Sequence, residues 1–343
     1  MRAFLIVICL LMSNSAEADL ILVRNDLKEV HRHDDNGQFI DVVVAAGTSP
    51  LESPRRVKLG PDGCLYVSDN TNLTVYKYSY PAGNYLGVFT SGIQISEIRS
   101  MDFGADGNLY ALDGSSIRVF DGSTGVFLAT LFTDPTNSLI KMSFVPNTTD
   151  VIFTGFNPGN ELRRGHIDME NLTYTPVYSR NFSNSNSPRG FAIGPGNGVE
   201  GDLYISTEFN RIERHDVLFG GFQMVHSYAA IHANDVEIGP DGHLYISFLQ
   251  YDGFRIYRFD GETGLYIDIF VDALPGASIQ DIEFVANLSV VGDVNRDGNV
   301  DLLDVQPFVE CLSNGHCQFE ADANQDGAVD LLDVAVFVAL LSA

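Results

Sequence analysis

Two twelve-residue stretches carry the plainest chemistry in the chain: DVNRDGNVDLLD, Asp293–Asp304, and DANQDGAVDLLD, Asp322–Asp333. Oxygen-bearing side chains fall at positions 1, 3, 5, 9 and 12 of each. In the first they are Asp293, Asn295, Asp297, Asp301 and Asp304; in the second, Asp322, Asn324, Asp326, Asp330 and Asp333. Position 7, Asn299 or Ala328, would lend its backbone carbonyl, and Gly298 or Gly327 at position 6 permits the sharp turn that wraps a chain around an ion. Hard oxygens at this spacing suit Ca²⁺, which takes about 6–8 of them in a roomy sphere, better than Mg²⁺ with its tight octahedron. Two copies in register predict two calcium ions. Residues 292–343 hold ten Asp or Glu against Arg296 alone, a formal −9, of which two Ca²⁺ would cancel four. So small and so self-repelling a segment is expected to be largely unfolded without its metal.

The flanks of the loops separate them from an ordinary EF-hand. Position 12 is Asp rather than Glu, and NLSVVG before Asp293 reads as strand and turn, not as an entering helix. A helix is predicted after each loop, over Leu302–Leu312 and Leu331–Leu341. Leu303, Phe308, Val309 and Leu312 in the first match Leu332, Phe337, Val338 and Leu341 in the second, so the two apolar stripes are expected to pack on each other. A calcium loop followed by one helix, duplicated within residues 292–343, resembles a dockerin module. The resemblance implies calcium at the positions named above and docking to a cohesin-like or cell-surface protein, often as the attachment of a carbohydrate-active enzyme to a scaffold. Loop positions 10 and 11, small hydroxylated residues in many such modules, are Leu302–Leu303 and Leu331–Leu332 here.

The body of the chain repeats. VKLGPDGCLYVSD (Val57–Asp69), MDFGADGNLYALD (Met101–Asp113) and VEIGPDGHLYISF (Val236–Phe248) are one phrase, and FAIGPGNGVEGDLYIST (Phe191–Thr207) is the same phrase with an insertion. Gly60 and Gly104 stand 44 residues apart, and Gly104 and Gly239 stand 135 apart, three periods of 45. Each unit reads as an alternating strand, a tight Asp-Gly turn, a strand rich in β-branched and aromatic residues, and two further strands joined by turns such as DGSTG or DGETG. Four strands per period of about 40–45 residues mark a propeller blade. Five whole blades are expected at roughly 53–89, 98–132, 139–178, 187–228 and 232–270. Leu20–Ala45 supplies three outer strands and Ile279–Val290 an inner one, so both chain ends join into a sixth blade. The phrases SPRGFAIGPG and GPDG-x-LY-[VI]-S resemble NHL-type blades of secreted bacterial propellers. The expected fold is therefore an all-β six-bladed propeller (19–290) followed by a small α-helical dockerin-like calcium module (292–343).

Charge and targeting narrow the function. The net charge is −25, which excludes nucleic acid as a partner. Arg2, the apolar run Ala3–Met12 and AEA at Ala16–Ala18 read as a signal peptide over residues 1–18, cleaved near Ala18. No later run is long enough to span a bilayer. The mature protein is expected outside the cell, free or held at its surface. In that oxidising setting Cys311 and Cys317, six residues apart, could form a local disulfide, while Cys64 reads as a buried strand cysteine.

No H-E-x-x-H, G-x-S-x-G, Walker loop or CxxC occurs. His31 and His33 alternate on one strand face, read as an exposed outer face before a metal pair. When the inner strands are aligned on their turn glycines, the residue five places earlier is Arg55, Arg99, Arg189 or Asn234. These could ring the central channel as a site for an anionic ligand. Alternatively each Arg pairs with a neighbouring blade's carboxylate, such as Asp102, Asp235 or Asp281. Three function classes follow: a ligand- or protein-binding propeller held by its calcium module; a carbohydrate-active propeller enzyme, lactonase-like hydrolase or polysaccharide lyase; and a cell-surface structural protein. The first is favoured, since no catalytic set is legible.

Overall fold

The computed structural model describes residues 18–343 except 137, 147, 157–159, 182–187, 195–201, 208–210, 217–221, 228–232, 251–252, 262, 275, 277, 287–291, 293, 295–299, 301, 315–320, 322, 324–328 and 342–343. It divides into two units, Asp19–Val285 and the C-terminal Ala286–Ala343.

The larger unit holds six four-stranded antiparallel sheets, the six blades of the propeller. Five are built from consecutive strands. Their inner strands are Pro54–Leu59, Ile98–Phe103, Ser138–Phe144, Pro188–Ile193 and Ala233–Ile238. The sixth sheet takes its inner strand, Ile279–Ala286, from the far end of the chain and adds Ala18–Arg24, Glu29–His33 and Phe39–Val44. One apolar cluster fills each gap between neighbouring blades. Tyr66 and Phe89 of the first blade pack with Met101 and Leu109 of the second. Ile21 and Val44 of the sixth meet Val57 and Tyr78 of the first, which closes the ring. A buried side chain of this size contributes about 1.5–3 kcal/mol, so each gap is a substantial core of its own.

The repeated phrase has a physical reason at every letter. In GPDGCLY the ring of Tyr66 lies so close over Gly60 that a Cβ there would stand 2.4 Å from Tyr66 Cε2. Asp62 accepts the Tyr66 hydroxyl at 2.9 Å through one oxygen and the Cys64 N–H at 3.1 Å through the other. Gly63 takes φ +70°, which an L side chain resists. Gly104, Asp106 and Tyr110 repeat the arrangement, as do Gly239, Asp241 and Tyr245.

A second repeated device sets the channel. Pairing with the second strand slips between Pro54 and Val57, Ile98 and Ser100, Leu139 and Met142, Pro188 and Gly190, and Ala233 and Asp235. Each slip is a β-bulge, which re-aims side chains and frees a backbone N–H. The freed group is recaptured by a hydroxyl of the second strand. Ser68 accepts from the Arg56 N–H at 2.9 Å, Thr154 from Lys141 at 3.3 Å, Ser206 from Gly190 at 2.9 Å and Ser247 from Asp235 at 3.0 Å. The serine of LYVS and LYIS is thus the bulge clasp.

In the C-terminal unit a short 3₁₀ turn, Leu302–Asp304, runs into the helix Val305–Asn314, and a second helix spans Asp333–Leu340. Pro307 falls in the first turn of its helix, where its missing N–H costs nothing. Phe308 and Phe337 stack with ring centres 3.9 Å apart and planes 8° apart, over Val294, Ala321 and Ala323. The expected stripe is only partly inward. Phe308 and Phe337 are buried, and Leu312 and Leu341 are partly so, whereas Val309, Val338 and Leu332 face outward.

Candidate functional site

A cavity of about 280 Å³ opens among the inner strands of the propeller. Two residues of each inner strand, two places apart, fall at it or beside it. The nearer set is Arg56, Ser100, Lys141, Gly190, Asp235 and Asp281; the next is Lys58, Asp102, Ser143, Ala192, Glu237 and Glu283. Most of these line the cavity directly, together with apolar side chains such as Phe144, Phe191 and Ile238.

The floor is ion-paired across blades. Arg56 Nη1 donates to Asp281 Oδ1 at 2.9 Å and to the Gln280 carbonyl at 2.6 Å, and Asp281 Oδ2 accepts the Val57 N–H at 2.8 Å. Lys141 Nζ donates to Asp235 Oδ1 at 2.7 Å, and the other Asp235 oxygen accepts the Ile282 N–H at 3.3 Å. Above this layer Lys58 Nζ lies 2.8 Å from Glu283 and 3.7 Å from Asp102, and Lys141 lies 3.7 Å from Glu237.

Five carboxylates, Asp102, Asp235, Glu237, Asp281 and Glu283, therefore face three cations, and the electrostatics follow that imbalance. Burial works against the Lys58 ammonium, yet Glu283, Asp102 and Glu237 outweigh it and hold its pKa well above the usual lysine range. Lys141 is raised in the same way by Asp235, Glu237 and Asp281. Burial and the neighbouring Glu283 push the Glu237 carboxyl up to about 7 against the pull of Lys141. Burial also raises Asp281 and Glu283, whereas Lys141 and Arg56 hold Asp235 below the ordinary carboxylate value despite its burial. Among the described residues no group of three or more His, Cys, Asp or Glu is placed to hold a metal ion.

The arginines aligned five places before the turn glycine sit just ahead of this layer. Neither Arg55 nor Arg99 lines the cavity; both bind Glu97, at 2.6 and 2.7 Å. The side chains of Arg189 and Asn234 lie outside those described. The cations that do enter the channel, Arg56, Lys58 and Lys141, escaped the alignment because the bulge shifts the inward register by one residue. For Arg56 and Lys58 and for the carboxylates that face them the signal was present in the sequence as charged residues two apart in otherwise apolar strands, RVKL, DVEI and DIEF, whereas Lys141 in KMSF carries no such pair. His31 and His33 are buried, contrary to the exposed face expected for them. Their strand is interior to its sheet, and both rings pack edge-on against Phe39 at 5.4 and 5.6 Å.

In the C-terminal unit the two position-12 residues, Asp304 and Asp333, are completely buried. Asp333 Oδ2 accepts the Asp330 N–H at 2.8 Å, and Asp330 Oδ1 accepts the Leu332 N–H at 2.7 Å. Asp293, Asn295, Asp297, Asn299, Asp301, Asp322, Asn324, Asp326 and Ala328 lie outside the described residues. Two carboxylates buried at equivalent places are hard oxygen donors of the kind a Ca²⁺ takes. Cys311 is a free, half-buried thiol on its helix, and Cys317 lies outside the described residues.

Residues 291–341 match the family model of the dockerin type I domain. A dockerin domain implies calcium binding and attachment of the chain to a cohesin outside the cell. Its surface here carries Leu302 and Leu331, each 80% exposed, and Leu332, 66% exposed, at the two loop ends. The propeller is similar in fold to the periplasmic gluconolactonase of Pseudomonas aeruginosa, with a TM-score of 0.54 and 11% identity over 79% of this chain and 99% of that one. No curated protein matches the sequence. Among the described residues no helix is long and apolar enough to cross a membrane.

Proposed function

We propose that the protein is an extracellular binding propeller, exported by a signal peptide cleaved near Ala18 and held to a cohesin-bearing partner by its dockerin domain with two calcium ions. Its blades are read as NHL-type repeats. The propeller's task in this reading is to hold a small polar ligand in the channel cavity. The observation that carries it is a cavity of about 280 Å³ lined by Lys58, Glu237 and Glu283, joined in one chain to a dockerin domain. Charged and hydroxyl groups on an apolar wall are the usual makeup of a small-molecule site. Bound carbohydrate would fit that lining, with Phe144 and Phe191 as apolar faces.

The docking half is tested by capture of the full chain on immobilised cohesins with calcium and with chelator. Calcium-dependent capture that is lost in Leu302→Asp and Leu331→Asp supports it. Binding that ignores both calcium and these substitutions sinks it.

A second reading is favoured by Glu237. A cavity carboxyl held near neutrality is suited to give and take a proton. In that reading the propeller is a carbohydrate-active enzyme, a lactonase-like hydrolase or a polysaccharide lyase. Turnover of aldonolactones or acidic polysaccharides by the wild type, abolished in Glu237→Gln, would decide for it. Absence of turnover across such a panel leaves the binding reading.

A further inference from the structure

Arg55 and Arg99 hold one carboxylate between them and spend little of their hydrogen-bonding capacity on it. Arg55 Nη1 donates to Glu97 Oε1 at 2.6 Å, and Arg99 Nε donates to Glu97 Oε2 at 2.7 Å. A guanidinium carries five N–H donors in a planar fork. Arg55 Nε is buried and has no hydrogen-bond partner. The three side chains are 30, 25 and 29% exposed, so solute can reach them.

Other arginines of the propeller are used more fully. Arg258 grips Asp268 with two nitrogens, and Arg32 does the same with Asp41. With 45 Asp and Glu in the chain, a shortage of acid partners does not explain the sharing of one glutamate. Burial, followed by repulsion from Arg56, holds the Arg55 guanidinium below its usual range, and Arg99 adds to this. Glu97 is anchored by its backbone, its N–H donating to Asp113 Oδ1 at 2.9 Å. Its carboxylate can therefore swing aside without moving the chain.

The site is distinct from the cavity. None of Arg55, Glu97 and Arg99 lines it, and along the inner strand Arg55 precedes the first lining residue, Arg56.

We propose that Arg55 and Arg99 form a recognition site for a small oxyanion, a carboxylate or a sulfate group, for which Glu97 holds the place in the empty protein. Two forks set on neighbouring blades match the paired oxygens of such a group and bind it by charge-assisted hydrogen bonds. The anion displaces the Glu97 carboxylate and takes both guanidiniums.

Calorimetric titration of the full calcium-loaded chain tests this, with sodium glucuronate, sodium sulfate and glucose as probes. The expected result is binding of glucuronate, sulfate or both, and none of glucose. Arg55→Gln and Arg99→Gln should each weaken binding about tenfold, the scale of one charged hydrogen bond, and Glu97→Gln should tighten it by removing the competing charge. Which salt binds distinguishes a uronic acid from a sulfated ligand. The proposal is overturned if neither salt binds wild type or Glu97→Gln. It is equally overturned if the double Arg→Gln variant, folded by circular dichroism, binds as wild type does.

Discussion

Lys141 and Asp235 are bonded at 2.7 Å although they belong to the third and fifth blades. The fourth blade presents Gly190 at the place between them, and a Cβ there would stand 3.3 Å from both Asp235 Cα and Asp235 Oδ1. Glycine thus leaves the passage through which the lysine reaches. The pair is 11% and 1% exposed, so loss of one partner strands the other in a poorly solvated place. Lys141→Met is expected to cost about 3–5 kcal/mol in denaturant unfolding, and Lys141→Met with Asp235→Leu to recover most of it. A single variant losing under about 1 kcal/mol contradicts the reading.

The turn motif makes a prediction about crowding. Gly60→Ala forces a Cβ to within 2.4 Å of the Tyr66 ring, which should cost about 1–3 kcal/mol. Tyr66→Phe should cost about 1 kcal/mol through the lost bond to Asp62. Because both act on one ring, Gly60→Ala combined with Tyr66→Ala should be clearly less damaging than the sum of its parts. Strict additivity in a double-mutant cycle would count against this account.

Channel acidity should appear in the pH dependence of stability. Glu237 moves from an ordinary 4.5 to about 7 on folding, so the native state holds more protons than the unfolded one between those values. Its contribution is fully present below about 4.5, falls as the pH rises, and is gone above about 7. Glu283 and Asp281 act in the same direction, while Asp235, Asp62 and Asp26, all lowered, act in the opposite one. Glu237→Gln isolates the term: relative to wild type it should melt higher at pH 8 than at pH 5. An offset identical at both pH values rules out the raised carboxyl.

Calcium removal should act locally. Chelator is expected to erase the helical signal of Val305–Asn314 and Asp333–Leu340 while leaving the strand signal of the propeller intact. Asp304→Ala and Asp333→Ala, each removing a completely buried carboxylate, should raise the calcium needed to restore helicity. Helicity indifferent to chelator in far-ultraviolet circular dichroism refutes a structural role for the metal.

Much of the architecture was legible because its causes are local. Six blades follow from a repeated phrase in which Gly60, Asp62, Gly63 and Tyr66 satisfy one another within seven residues. The dockerin domain was legible for the same reason, since its duplicated motif is written in runs of twelve consecutive residues. Even the helices after the loops, with Pro307 in a first turn, could be read from spacing alone.

The channel was not legible in this way. Whether residue 55 or residue 56 faces inward depends on a bulge, and a shift of one residue moves a side chain to the other face of a strand. The partners lie far apart in sequence: Arg56 meets Asp281 across 225 residues, and Lys141 meets Asp235 across 94. The sequence by itself determined that charged residues stand two apart in apolar inner strands. Only closure of the ring decided which acid faces which base, that carboxylates outnumber cations there, and that Arg55 and Arg99 meet at Glu97 instead of entering the cavity.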